Sequence, residues 1–70
     1  MKANRAYELI VSRRAEVDHV EVVDISDGEV VLFWDTLPGQ TGRMARALRT
    51  DLAQLEAREF LEKWSKWQRG

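Results

Sequence analysis

The chain has 70 residues, of which 44% are hydrophobic and 33% charged, with a net charge of −1, one histidine and no cysteine. This composition excludes a disulfide-stapled scaffold and a thiolate zinc module, and a single histidine excludes most other metal sites. No stretch approaches the roughly 18 apolar residues of a membrane helix, and the first residues include no apolar signal region, so we expect a cytoplasmic protein without membrane contact, metal or cofactor.

The charges are divided unevenly along the chain. Residues 1–40 carry four basic and eight acidic side chains, whereas residues 41–70 carry seven basic and four acidic ones. Opposite charges of this kind favour attraction between the two halves, either within one molecule or across a dimer.

The first half of the sequence predicts three β-strands, at about residues 6–12, 17–25 and 29–35. Asp27-Gly28 lies between two β-branched runs and is the strongest short signal for a hairpin. The two residues fit a type I′ turn, which needs positive φ at both central positions. Residues 13–16 are polar and predict a four-residue connection between the first two strands.

These turns predict a register that assigns each side chain to a face of the sheet. A two-residue Asp27-Gly28 loop pairs Val22 with Phe33, and a turn at 13–16 pairs Tyr7 with Val22. The predicted core face then holds Tyr7, Leu9, Val11, Val20, Val22, Val31 and Phe33. The opposite face remains strongly apolar, with Ile10, Val23, Ile25, Val30, Leu32 and Trp34. The same register sets Glu8 across from Glu21, an unfavourable like-charge pair that counts against the first pairing.

The second half predicts a helical region at about residues 41–68, with Thr36 or Thr41 as the candidate N-cap. One apolar stripe along this region would pack on the sheet; it comprises Met44, Leu48, Leu52 and Leu55, with Ala45 beside it. The apolar positions then restart on a rotated face at Phe60, Leu61, Trp64 and Trp67. Either the helix breaks near Leu55-Ala57, or one continuous helix presents two faces; local propensity favours continuity.

The sequence therefore predicts an α+β fold. It is a single domain over residues 1–70, in which a three-stranded antiparallel meander (β-β-β) is followed by a long or kinked C-terminal helix packed on one sheet face. A chain this short cannot easily cover its second apolar face, so we expect a homodimer. The predicted interface comprises Ile10, Val23, Ile25, Val30, Leu32, Trp34, Phe60, Leu61, Trp64 and Trp67. Two alternatives remain open: the three tryptophans close a local core at one end of the sheet, or the partner is another protein.

The functional expectation is a protein-interaction module of unknown pathway without catalytic residues. His19 and Glu21 share one strand face, but Asp24 points to the other, so these three side chains do not converge. The alternative is a nucleic-acid-binding regulator, because rows of arginine are the usual electrostatic footprint of such proteins. The arginines concerned are Arg13, Arg14, Arg43, Arg46 and Arg49.

Overall fold

The computed structural model describes residues 1–68. The chain forms three antiparallel strands followed by two helices. In chain order the elements are α1 (Ala3–Ala6), β1 (Tyr7–Ser12), β2 (Asp18–Asp24), β3 (Val30–Thr36), α2 (Pro38–Gln54) and α3 (Ala57–Ser65). The strands form one sheet in the order β1-β2-β3. The predicted three-stranded meander followed by a C-terminal helical region is confirmed, and the single turn of α1 is an addition. None of the helices within residues 1–68 is long and apolar enough to cross a membrane.

The β2–β3 hairpin forms, but its predicted turn and register are wrong. Gly28 has a φ of +76° and no other described residue has a positive φ, which rules out a type I′ turn at Asp27. A longer loop closes instead, with the Asp24 N–H donating to the Glu29 carbonyl. The register then shifts between Val22 and Val23, so that Val31 has no partner in β2. This bulge changes which side chains face the core.

The shifted register exchanges the predicted faces of β3. Leu32 pairs with Val22 and Trp34 with Val20, so Leu32 and Trp34 lie on the core face. Phe33 pairs with Glu21 and lies on the open face, 42% exposed. A slip of one residue reverses every side chain of a strand, which is why one unrecognised bulge misplaced three residues.

The β1–β2 pairing is shifted by two residues, which keeps the predicted faces. Leu9 pairs with Val22 rather than with Val20, because six residues, 13–18, lie between the paired Ser12 and His19, two more than the predicted four. Glu8 now pairs with Val23, and the unfavourable contact with Glu21 is avoided.

The helical region breaks at Leu55 and Glu56, whose backbones are extended. The N-terminal segment pairs with this break: the Ala3 N–H donates to the Leu55 carbonyl, and the Ala57 N–H donates to the Met1 carbonyl. Glu56 and Glu59 then form a reciprocal capping box that begins α3. Contacts from a distant segment therefore override the local helix propensity that favoured continuity.

The start of α2 also differs from the prediction. Neither Thr36 nor Thr41 is the N-cap; Leu37 occupies that position without a side-chain cap, and Pro38 is the first helical residue. Both threonines are buried instead.

The core lies between the sheet and the two helices. Val20, Val22, Leu48 and Phe60 are fully buried in it. The predicted α2 stripe does face the core, with Met44 and Leu55 partly buried beside it. The remaining members of this cluster are Ala3, Leu32, Leu52 and Trp64.

Candidate functional site

The predicted interface residues divide into two groups in the structure. Leu32, Phe60 and Trp64 are at most 9% exposed, because they complete the core of the chain itself. They are therefore unavailable as surface of the single chain. Large exposed side chains remain at Ile10, Ile25, Val30 and Trp67, while Val23, Trp34 and Leu61 are half-buried.

An apolar groove lies where α2, α3 and β3 meet, and we call it the tryptophan groove. Its volume is about 550 Å³, and it is lined by Trp34, Met44, Ala47, Thr50, Asp51, Lys63, Trp64 and Trp67. Trp34 and Trp64 contact each other edge to face, with ring centroids 5.8 Å apart. Trp67 follows α3 at the rim of the groove and is 66% exposed. Aromatic side chains in such a position are typical anchors of protein interfaces.

Polar groups fix one wall of the tryptophan groove. The Asp51 carboxylate accepts a hydrogen bond of 3.0 Å from Trp64 Nε1 and lies 2.6 Å from Lys63 Nζ. The Lys63 ammonium also lies 5.7 Å from the Trp64 ring centroid. By contrast, Trp34 Nε1 is buried and has no acceptor within residues 1–68. The groove thus combines one anchored tryptophan, one with an unused donor, and one that is exposed.

A second feature adjoins this groove at the outer edge of β3. The Gln68 side chain makes two hydrogen bonds to the Phe33 backbone: the Phe33 N–H donates to Oε1 at 3.0 Å, and Nε2 donates to the Phe33 carbonyl at 2.9 Å. Trp67 lies beside this contact and shares a depression with Phe33, Trp34 and Asp35. Sequence reasoning missed Gln68, because a lone glutamine after a helix carries no signal for a strand-edge contact.

The open face of the sheet is mixed rather than continuously apolar. One row across the three strands is Ile10, Glu21 and Phe33, and the next is Ser12, His19 and Asp35. The His19 ring lies 5.3 Å from the Phe33 ring, and its Nδ1 is 2.7 Å from Asp35 Oδ1. Within residues 1–68, no group of three or more His, Cys, Asp or Glu side chains is placed to hold a metal ion.

A buried polar cluster was also missed at the other end of β3. Asp18 is 1% exposed and accepts a hydrogen bond of 2.7 Å from the Thr41 hydroxyl, which lies 2.6 Å from that of Thr36. The Arg13 guanidinium lies 3.2 Å from the same carboxylate, and the Arg14 N–H donates to it. The Thr41 hydrogen bond, aided by the Arg14 N–H and by Arg13, lowers the pKa of Asp18, although burial acts to raise it. The cluster ties the β1–β2 connection to α2.

The arginines of the nucleic-acid hypothesis do not all occupy similar positions. Arg13 pairs with Asp18. Arg43, Arg46 and Arg49 are exposed on α2, and none of them makes a salt bridge to a described residue. The structure assigns these groups no ligand, so nucleic-acid binding stays a prediction.

Comparisons with protein-family models, with curated proteins and with solved structures find no match to this chain, and the candidate site is argued from its own geometry alone.

Proposed function

We propose that this chain is a small non-catalytic interaction module that works by binding a second copy of itself through the tryptophan groove and the adjoining edge of β3. The observation that carries the proposal is the exposure of Trp67, at 66%, beside two tryptophans that are largely covered. An exposed indole at the rim of an apolar groove is the pattern of an interface anchor, because burying it on association removes a large apolar area from water.

Self-association is favoured over a different partner by the size and charge of the chain. Domains of this length have a core that is only marginally sufficient, and oligomerisation is a usual remedy. The open sheet face presents Glu8, Glu21 and Asp35, whereas α2 presents the three arginines that make no salt bridge within residues 1–68. These opposite charges attract two copies to each other at a distance, while the groove and the β3 edge supply the contact itself.

The test is the solution mass of the chain by sedimentation equilibrium over a wide concentration range, for the wild type and for Trp67→Ala. We expect a concentration-dependent dimer whose dissociation constant rises more than about tenfold in Trp67→Ala, because anchoring tryptophans contribute most of the energy of an interface. The fold should persist in the variant, since Trp67 lies outside the core cluster.

Ile25→Ala is the matched control, because Ile25 is comparably exposed, at 55%, but lies in the hairpin loop away from the groove. It should leave the dissociation constant nearly unchanged. A wild type that stays monomeric at every concentration would contradict the proposal, as would an equal effect of both substitutions.

A further inference from the structure

The sheet has two outer edges, on β1 and on β3, and the edge of β3 is the one that adjoins the tryptophan groove. In the sheet order β1-β2-β3, strand β3 pairs on one side with β2, and within residues 1–68 no strand pairs with its other side. Edge strands present unpaired N–H and C=O groups and so are templates for pairing with another chain. Proteins generally cover or charge such edges.

Here the edge of β3 is covered at one position by the Gln68 side chain, which bonds to the backbone of Phe33 as a neighbouring strand would. Residues of an antiparallel strand direct both backbone groups to the same side, and Phe33 directs its N–H and carbonyl outward to Gln68. The Gln68 amide has the same donor and acceptor as a peptide group, and it makes the two bonds that the opposing residue of a further strand would make. Gln68 therefore occupies the position of one residue of a missing strand.

We infer that this missing strand is β3 of a second copy, which displaces the Gln68 side chain and pairs antiparallel about a two-fold axis at Phe33. The inference rests on the proposed function and names the part of the surface at which the two copies meet. The product is a continuous six-stranded sheet, which is a closed, isologous arrangement.

The sequence of β3 is compatible with antiparallel pairing to β3 of a second copy in this register. Phe33 of one copy lies opposite Phe33 of the other, which joins two aromatic rings that are each 42% exposed in the single chain. Asp35 of one copy lies level with Val31 of the other, an uncharged residue whose side chain packs against the core, so no like charges face each other across the new pair. Trp67 adjoins the same edge, in contact with the depression that contains Phe33 and Asp35, and would be covered as the copies meet.

The hydrogen bonds between Gln68 and Phe33 can be replaced by hydrogen bonds to a partner strand at little cost. They are exposed to solvent, and their loss leaves no buried group without a partner. Gln68 then acts as a reversible cover that weakens self-association without preventing it. Removing the amide should strengthen the dimer, which is the opposite of what substitution of an interface residue normally does.

The first experiment is sedimentation equilibrium of Gln68→Ala against the wild type, with the full chain. We expect the dissociation constant of the dimer to fall by up to about fivefold, since two covers no longer have to be displaced. An unchanged or raised constant would overturn the inference.

The second experiment locates the contact by disulfide formation, because the natural chain has no cysteine. In the Gln68→Ala background, Phe33→Cys should form a covalent dimer on mild oxidation, since directly paired residues of antiparallel strands have Cα atoms close enough for a disulfide. Ile10→Cys is the control, because Ile10 lies in the same row of the open face but on β1. Circular dichroism verifies that each variant is folded.

The outcomes separate this inference from the proposed function. A wild-type dimer that Trp67→Ala weakens, without cross-linking at Phe33→Cys, would overturn edge pairing and leave self-association through the groove intact. Equal cross-linking of both cysteine variants would overturn edge pairing too. A chain that remains monomeric in wild type and in Gln68→Ala would overturn both.

Discussion

Strand β3 is held by side-chain hydrogen bonds at two positions, and the two differ in their exposure to water. Thr36 contacts Thr41, which binds Asp18, and all three are buried. Three residues earlier, the backbone of Phe33 binds Gln68 in a contact that solvent reaches. We call these the buried tie and the exposed tie.

The difference in burial gives the two ties different functions. A group of the buried tie that loses its partner finds no water to replace it, and so pays its full desolvation cost. A group of the exposed tie exchanges its partner for water or for another peptide at little cost. The buried tie therefore fixes the fold, whereas the exposed tie can give way to a partner.

The largest effect should come from breaking the buried tie with Thr41→Val, which removes the hydroxyl and nearly keeps the shape of the side chain. We expect the free energy of unfolding to fall by about 1–3 kcal/mol, the cost of leaving a buried hydrogen-bonding group without its partner. Urea denaturation measures it, at a concentration where the chain is monomeric.

Thr50→Val makes the same chemical change at an exposed position of α2. It should alter the free energy of unfolding by no more than about 0.5 kcal/mol. Similar losses in the two variants would mean that the Asp18 cluster does not stabilise the fold as its burial implies.

A smaller effect should appear in the pH dependence of the free energy of unfolding. The pKa of Asp18 is lowered in the folded chain, chiefly by the Thr41 hydroxyl. The carboxylate of Asp18 therefore binds a proton more readily in the unfolded chain than in the folded one. The contribution of Asp18 to the free energy of unfolding is fully present above the unfolded pKa of an aspartate. It is lost as the pH falls through the lower, folded value.

Asp18→Asn removes this titration. The free energy of unfolding, measured by urea denaturation near neutral pH and again in the acid range, should fall less on acidification in Asp18→Asn than in the wild type. The pKa of Asp24 is also lowered, by Ser26, so some acid sensitivity should persist in the variant. Acid sensitivity identical to that of the wild type would show that Asp18 carries no share of it.

Sequence reasoning succeeds for the order of the strands and helices. The strand-strand-strand-helix order follows from Asp27-Gly28, from the β-branched runs and from the apolar stripe that begins at Met44. Those are local patterns, and each is repeated by several neighbouring residues. The structure confirms the fold class that they predict.

Sequence reasoning fails where one residue or one distant contact determines the local structure. The bulge at Val31 reversed the faces of Leu32, Phe33 and Trp34, and no local pattern marks it. The helix breaks at Leu55 because residues 1–3 pair with it, a contact between segments more than 50 residues apart. The two ties join residues separated by 23 and 35 positions, so neither leaves a spacing that can be read along the chain.

The smallest effect on stability should come from the exposed tie. Gln68→Ala removes two hydrogen bonds, yet water reaches both groups that Phe33 would then present. We therefore expect the free energy of unfolding of the monomer to change by no more than about 0.5 kcal/mol. At a concentration where the chain is monomeric, hydrogen exchange should detect what denaturation does not: the Phe33 amide should exchange faster in Gln68→Ala, while the Val22 amide in the central strand keeps its protection. A loss of stability as large as that of Thr41→Val would show that Gln68 is part of the fold itself. The edge of β3 would then be closed to a partner, because a cover that the fold depends on cannot be displaced without unfolding the chain that it protects.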